Sequence, residues 1–166
     1  METTQFWDII EKSIVQKNSI DKNEQGDAIL EILTTLKQNQ ILGFHQKLTD
    51  LKRELNTPQF NEIAFMMKYG DNRTALSGFK NWVISLGENH YKKTKQSPAH
   101  LLTLNDPKLF VVGRAYLNEL DGLPQIAYED NRTESDLEWY AFVQKHRRLQ
   151  QIENNQNHNK DKGLER

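Results

Sequence analysis

The sequence predicts an all-α fold, a single-domain bundle of about seven to nine helices. Three observations carry this. Apolar residues recur at i, i+3, i+4 and i+7 in one segment after another. Ser, Thr, Asp or Asn stands just ahead of several of these segments, and three times the next residue is proline. No stretch of useful length alternates apolar and polar residues, as a half-buried strand would.

The first helix is expected to start at Thr3 or Thr4, with Phe6, Ile9, Ile10 and Ile14 on one face. A polar link from Asn18 to Gln25 leads to a second helix striped by Ile29, Ile32, Leu33 and Leu36. A third carries Ile41, Phe44, His45, Leu48, Leu51 and Leu55. Thr57-Pro58 is a cap with proline at the first helical position, where its missing N–H costs nothing. The helix it opens holds Phe60, Ile63, Ala64 and Met67 and should close at Gly70. Asp71 or Asn72 caps the fifth, with Leu76, Phe79, Trp82, Val83 and Leu86 on its face and Gly87 as its stop. At this spacing Trp82 and its neighbours read as core, because each aromatic buries a large apolar area.

A polar helical piece follows from Glu88 to Lys95. Ser97-Pro98 and Asp106-Pro107 mark two further starts, the second leading into Leu109, Val112, Tyr116 and Leu120. Asp121-Gly122-Leu123-Pro124 reads as a turn, and the chain from there to Thr133 as an irregular loop. A last amphipathic helix begins near Glu134, with Trp139, Phe142, Val143, His146 and Leu149 on one side. Residues 1–152 form the expected domain. Residues 153–166 have too little to bury to offset their ordering entropy, so a disordered polar tail is expected there. Asp-Asn-Arg-Thr occurs at Asp71–Thr74 and again at Asp130–Thr133, and both copies read as helix caps.

The chain has 166 residues, a formal net charge of −1 and no cysteine. Disulfides, thiolate metal sites and cysteine nucleophiles are thereby excluded. No apolar run approaches the ~20 residues of a membrane span. Met1 to Gln5 has no basic segment leading into an apolar one, so a cytoplasmic location is expected. The near-neutral charge places nucleic-acid binding last among the readings, carried only by Lys92, Lys93 and Lys95 and by Lys145, Arg147 and Arg148.

Catalytic patterns do not emerge. Ser77-Gly78 lies inside a helix without a G-x-S-x-G frame, and the glycines are too scattered for a phosphate loop. None of the five histidines, His45, His90, His100, His146 and His158, forms a metal-binding pair at helical spacing. Neither a metal nor a cofactor is expected. The electrostatic lead is the acidic segment from Glu119 to Glu138, which contains Glu129, Asp130, Glu134 and Asp136. Trp139-Tyr140 follows at once, and Trp and Tyr are common anchors at protein interfaces.

Phe6-Trp7-Asp8-Ile9-Ile10 and Phe79-Lys80-Asn81-Trp82-Val83-Ile84-Ser85-Leu86-Gly87 resemble the F-W-x-x-I and F-R-x-W-L-I-x-x-G signatures of a bacterial family of small helical domains of unknown function. Gly87 to Tyr91, Ser97-Pro98, Ala115-Tyr116 and Asp121-Gly122 extend the likeness over about residues 5–123. The resemblance implies a helical fold and no activity. The family pattern places a serine and two acids where this chain has Asn72, Arg73 and Thr74, and an arginine where it has Lys80. Any activity dependent on those groups is therefore expected to be lost here.

The functional expectation is a protein-binding module, most concretely an immunity protein that covers a basic bacterial toxin. Its contact residues would be Glu129, Asp130, Glu134, Asp136, Glu138, Trp139 and Tyr140. The alternative is an enzyme or small-ligand domain with a pocket beside helix 76–87, rimmed by Asp71, Lys80, His90 and Tyr91.

Overall fold

The computed structural model describes residues 1–17, 22–104, 119–134 and 136–163. The fold is all-α, and no strand occurs among the described residues. Helices α1 (Thr3–Lys17), α2 (Lys22–Thr34), α3 (Gln38–Glu54), α4 (Pro58–Met66), α5 (Arg73–Ser85) and α6 (Glu88–Gln96) come first. A 3₁₀ helix (Pro98–Thr103), α7 (Glu119–Asn131) and α8 (Trp139–Gly163) follow. Two compact units result, Met1–Asp130 and Asn131–Arg166. No described helix is long and apolar enough to cross a membrane.

In the first unit α1 packs on α2 and α3, α5 packs on α3, α4 and α6, and the 3₁₀ helix lies against α4 and α6. Two aromatic clusters hold this arrangement. Phe6 stacks on Phe44 at 4.7 Å and meets Trp7 edge-on at 5.2 Å, and Trp7 reaches Tyr91 of α6 at 5.2 Å. Phe79 stacks on Tyr69 at 4.9 Å and on Trp82 at 5.3 Å, with Phe60 at 5.5 Å. The two sequence signatures are thus the two centres of the core. Every residue of α5 from Gly78 to Ser85 is buried.

Local signals explain most boundaries. Thr57 Oγ1 accepts the Phe60 amide at 3.2 Å and Asn72 Oδ1 that of Ala75 at 2.9 Å, each relieving an unpaired first-turn donor. Gly87 takes φ of 96°, a conformation that favours glycine, and ends α5 where expected. A Cβ there would also lie 2.5 Å from Glu11 Oε1, the same oxygen that accepts the Glu88 amide at 3.0 Å. A carboxylate of α1 therefore caps α6 from across the fold.

Several expectations are corrected. Helix α4 ends at Met66, and the left-handed residue that closes it is Lys68 (φ 64°), not Gly70. The Tyr69 amide bonds the Ala64 carbonyl at 2.8 Å and the Lys68 amide that of Phe65 at 2.9 Å, the paired bonds of a Schellman cap. Gly70 serves close approach instead, since a Cβ would meet the Phe65 backbone at 2.8 Å. Helix α1 starts at Thr3, whose Oγ1 accepts Lys47 Nζ at 3.0 Å.

The polar link expected up to Gln25 gives way to helix at Lys22. Gln25 is buried and its amide donates to Ser13 Oγ at 3.2 Å and to the Ser85 carbonyl at 2.9 Å, tying α1, α2 and the end of α5 together. The turn and loop expected at 121–133 are helix α7 through Asn131. Leu120, Leu123, Pro124, Ala127 and Tyr128 are buried at i, i+3, i+4, i+7 and i+8. That stripe offsets the amide hydrogen bond lost at Pro124.

The second Asp-Asn-Arg-Thr copy consequently ends a helix rather than starting one. Residues after it form a tight turn, in which Asp136 Oδ2 accepts the Thr133 amide at 2.8 Å, and α8 starts at Trp139 instead of near Glu134. Ser97-Pro98 does open a helix, but a 3₁₀ one. The expected helix through Leu109, Val112 and Tyr116 with its Asp106-Pro107 start lies outside the described residues. So do the side chains of the tail expected from 153.

Candidate functional site

Helix α5 is buried along its whole second half, yet Ser77, Lys80 and Asn81 put polar groups on one of its faces at i, i+3 and i+4. The fold has to satisfy them, and it does so with α3, the α3–α4 junction and α7. Lys52 Nζ lies 2.6 Å from both oxygens of Asp121 and 2.7 Å from Ser77 Oγ. Asp121 Oδ2 also accepts Ser77 Oγ at 3.2 Å and Asn81 Nδ2 at 3.0 Å. One carboxylate of α7 thus gathers donors from α3 and α5.

Lys80 stands differently. It is 8 % exposed, and its amine donates to Asn56 Oδ1 at 3.0 Å. No carboxylate pairs with it among the described residues. Burial first, and the Lys52 ammonium second, hold its pKa below the ordinary lysine value.

The chemistry available here is binding rather than attack. Ser77 and Lys52 are at the spacing of a nucleophile and its base. Lys52 Nζ, however, donates to Ser77 Oγ and to both oxygens of Asp121, so it faces the serine oxygen as a donor.

The four residues expected to rim a pocket beside α5 do not form one constellation, and among the described residues no hydrogen bond joins any two of them. Asp71 is exposed in the turn before α5. Tyr91 is a core residue: its ring meets Trp7, and its hydroxyl lies 3.1 Å from both the Leu51 carbonyl and Glu54 Oε2. Burial, then the neighbouring Glu54 carboxylate, push the phenol's pKa up. Lys95 completes that corner by meeting Glu54 Oε2 at 2.7 Å, and this contact draws the Glu54 carboxyl's pKa down.

His90 has a partner that nothing in its sequence spacing announces. Its Nδ1 lies 3.3 Å from His100 Nε2, with the rings stacked at 5.5 Å. A hydrogen bond between two imidazoles needs one nitrogen without a proton. Burial, the His100 charge and Lys93 lower the His90 pKa, against an opposing pull from Glu11. Ser97-Pro98 turns the chain so that the 3₁₀ helix returns over α6, and this turn was the missed signal. Among the described residues no group of three or more His, Asp or Glu is placed to hold a metal ion.

In the unit Asn131–Arg166 the acidic segment is partly occupied by its own structure. Asp136 closes the turn with Thr133, and Glu138 Oε1 pairs with Arg132 at 2.9 Å. Glu134 is exposed. In the other unit Glu129 is half-buried and Asp130 exposed. Trp139 and Tyr140 point to different sides of α8, as adjacent helical residues must. Trp139 is 6.3 Å from the Phe142 ring, whereas Tyr140 is 75 % exposed. Tyr140 lines a shallow groove with Ala141, Gln144, Lys145, Arg148 and Leu149, so the charged groups that share the groove with the aromatic are cations. His146 sits over Phe142 at 4.4 Å, with Nδ1 2.9 Å from that residue's carbonyl.

The Lys52–Ser77–Asn81–Asp121 group escaped the sequence reading because its members are scattered over three helices. Only the polar trio on α5, interrupting a buried face, was a legible trace of it. No curated protein and no solved structure matches the chain. A model described as a protein of unknown function, DUF4240, matches residues 1–130, the same span as the first compact unit, and the chain accordingly belongs to the DUF4240 family.

Proposed function

We propose that this chain is a protein-binding module and that the segment 129–152 makes the contact. The observation that carries the reading is the exposure of Leu137, Tyr140, Leu149 and Ile152 within one short stretch. Large apolar groups presented together favour a protein partner, and Tyr is an effective anchor. Carboxylates at Glu134 and Glu138 belong to the same unit, with Glu129 and Asp130 just ahead of them in sequence, which suits a basic partner approached by electrostatic steering. The concrete form is a cytoplasmic immunity protein that blocks a bacterial toxin by occupying its basic surface. A chain without cysteine suits such a reducing compartment.

The test is capture and protection in the native host with wild type, Tyr140→Ala, and Glu129→Lys with Asp130→Lys and Glu134→Lys. Asp136 is left intact because its carboxylate closes the turn. Wild type should retain a basic partner and protect against it, Tyr140→Ala should release that partner faster, and the charge-reversed variant should associate more slowly. Equal binding by all three sinks the proposal. The alternative, a small-ligand or enzymatic domain beside helix 76–87, draws its support from one place, the buried amine of Lys80.

A further inference from the structure

Lys52 of α3 and Lys80 of α5 lie near one another, and the carboxylate of Asp121 on α7 pairs with Lys52. Asp121 places both oxygens 2.6 Å from Lys52 Nζ and accepts Ser77 and Asn81 besides. Lys52 is thereby neutralised and its donors are engaged, with Ser77 Oγ at 2.7 Å. Among the described residues Lys80 receives only the neutral amide oxygen of Asn56, at 3.0 Å. An amine carries three donors when charged, so two N–H groups remain for something else. An ammonium partly withdrawn from water is stabilised by a counter-charge.

The orientation of Asn56 adds a further donor. Its Oδ1 accepts from Lys80, and the Nδ2 of the same amide carries two N–H donors. Asn56 is exposed, so the place is open to solvent at that end.

We propose that Lys80 and Asn56 form a binding site for a small oxyanion, a carboxylate or phosphate group, with the Lys80 ammonium as counter-charge and the Asn56 amide as second donor. The Asp121 carboxylate is engaged by Lys52 through both oxygens. The inference rests on the small-ligand reading and is independent of the protein-binding surface in the other unit. A bound anion stabilises the protonated amine, so affinity is present at neutral pH and is lost as pH rises through the lowered Lys80 pKa.

The experiment is a thermal-shift and calorimetric titration of the full chain with inorganic phosphate, malonate and the neutral control malonamide, at constant ionic strength. Wild type should show a saturable rise in midpoint with phosphate or malonate and none with malonamide. Which anion is the stronger identifies the source of the oxyanion. Lys80→Met should weaken binding ~10- to 100-fold, the worth of a hydrogen bond to a charged group. Lys80→Arg should retain part of it. Asn56→Leu removes the acceptor of Lys80 and should weaken it several-fold; Asn56→Asp keeps that acceptor and supplies a counter-charge, so anion binding should be lost there even if Lys80→Met and Asn56→Leu fail to fold, and binding retained by Asn56→Asp overturns the site. Equal binding by wild type and Asn56→Leu, or by wild type and Lys80→Met, overturns the site. A malonamide response as large as the anion response overturns the oxyanion assignment while leaving a ligand pocket standing. No response to any probe removes the small-ligand reading as well.

Discussion

Helices α5 and α8 carry much the same sequence pattern and do opposite things with it. Each sets aromatic residues at helical spacing among polar neighbours: Phe79 and Trp82 in one, Trp139, Tyr140 and Phe142 in the other. In α5 all residues from Gly78 to Ser85 are buried, and even a lysine and an asparagine are enclosed. In α8 the same kind of run leaves Tyr140 three-quarters exposed. The pattern therefore specifies a helix with an apolar face but not what covers the face. For α5 the cover is supplied by α3, α4 and α6, and the family match ends at residue 130, before α8 begins. The first region is committed to folding. The second leaves Tyr140, Leu149 and Ile152 exposed.

The sharpest way to break this comparison is to truncate one aromatic in each region. Trp82→Ala removes a buried ring stacked on Phe79, and large aromatic truncations in a core cost ~3–5 kcal/mol. Tyr140→Ala removes an exposed ring and should change stability by no more than ~0.5 kcal/mol. Urea or thermal denaturation followed by far-UV circular dichroism measures both. Similar costs would mean that α8 is packed as tightly as α5 and offers no anchor.

A smaller effect is expected at the junction of α5 and α6. Gly87→Ala forces a side chain into the left-handed region and drives its Cβ onto Glu11 Oε1, which caps α6. The left-handed conformation alone costs ~1–2 kcal/mol for a residue with a Cβ. Loss of the cap adds ~1 kcal/mol. Glu11→Gln should lose only part of the cap, since its oxygen can still accept. Equal stability of wild type and Gly87→Ala would show that the Glu11 contact is replaceable and that this junction is as tolerant as an exposed helix.

Much of this contrast was legible in sequence and some could not be. The helices around Phe6, Phe44, Phe60 and Phe79 were readable because period and cap agree, as at Thr57-Pro58 and Asn72. Helix α7 was misread because Gly122 and Pro124 are strong local turn signals. A buried stripe from Leu120 to Tyr128 overrode them, a tertiary effect that a local reading undervalues. The site was harder. Lys52, Asn56, Lys80 and Asp121 come together only through packing of helices distant in sequence, and nothing in their spacing announces it. Likewise Lys68 could close α4 because the paired carbonyl bonds outweigh the cost of a left-handed lysine, whereas sequence favours the nearby Gly70.

The smallest effect is also the most specific to the committed region. His90 of α6 and His100 of the 3₁₀ helix share a hydrogen bond that needs one unprotonated nitrogen, at 3.3 Å. Burial and the surrounding charge of His100 and Lys93, less the pull of Glu11, place the folded-state pKa of His90 below its ordinary 6.5. Between that lowered value and 6.5 the unfolded chain binds more protons than the folded one, so stability rises with pH across that window. As pH falls through it, wild type should lose stability, and below the lowered pKa the penalty is complete. His90→Gln keeps a hydrogen-bonding amide beside His100 but cannot charge. Thermal midpoints measured from pH 8 down to pH 5 should therefore fall more gently for His90→Gln than for wild type, with the two curves parallel above the window. Parallel curves throughout would show that the imidazoles separate at no cost, and that the contact between α6 and the 3₁₀ helix is held by its apolar side chains, above all the buried Leu101, instead.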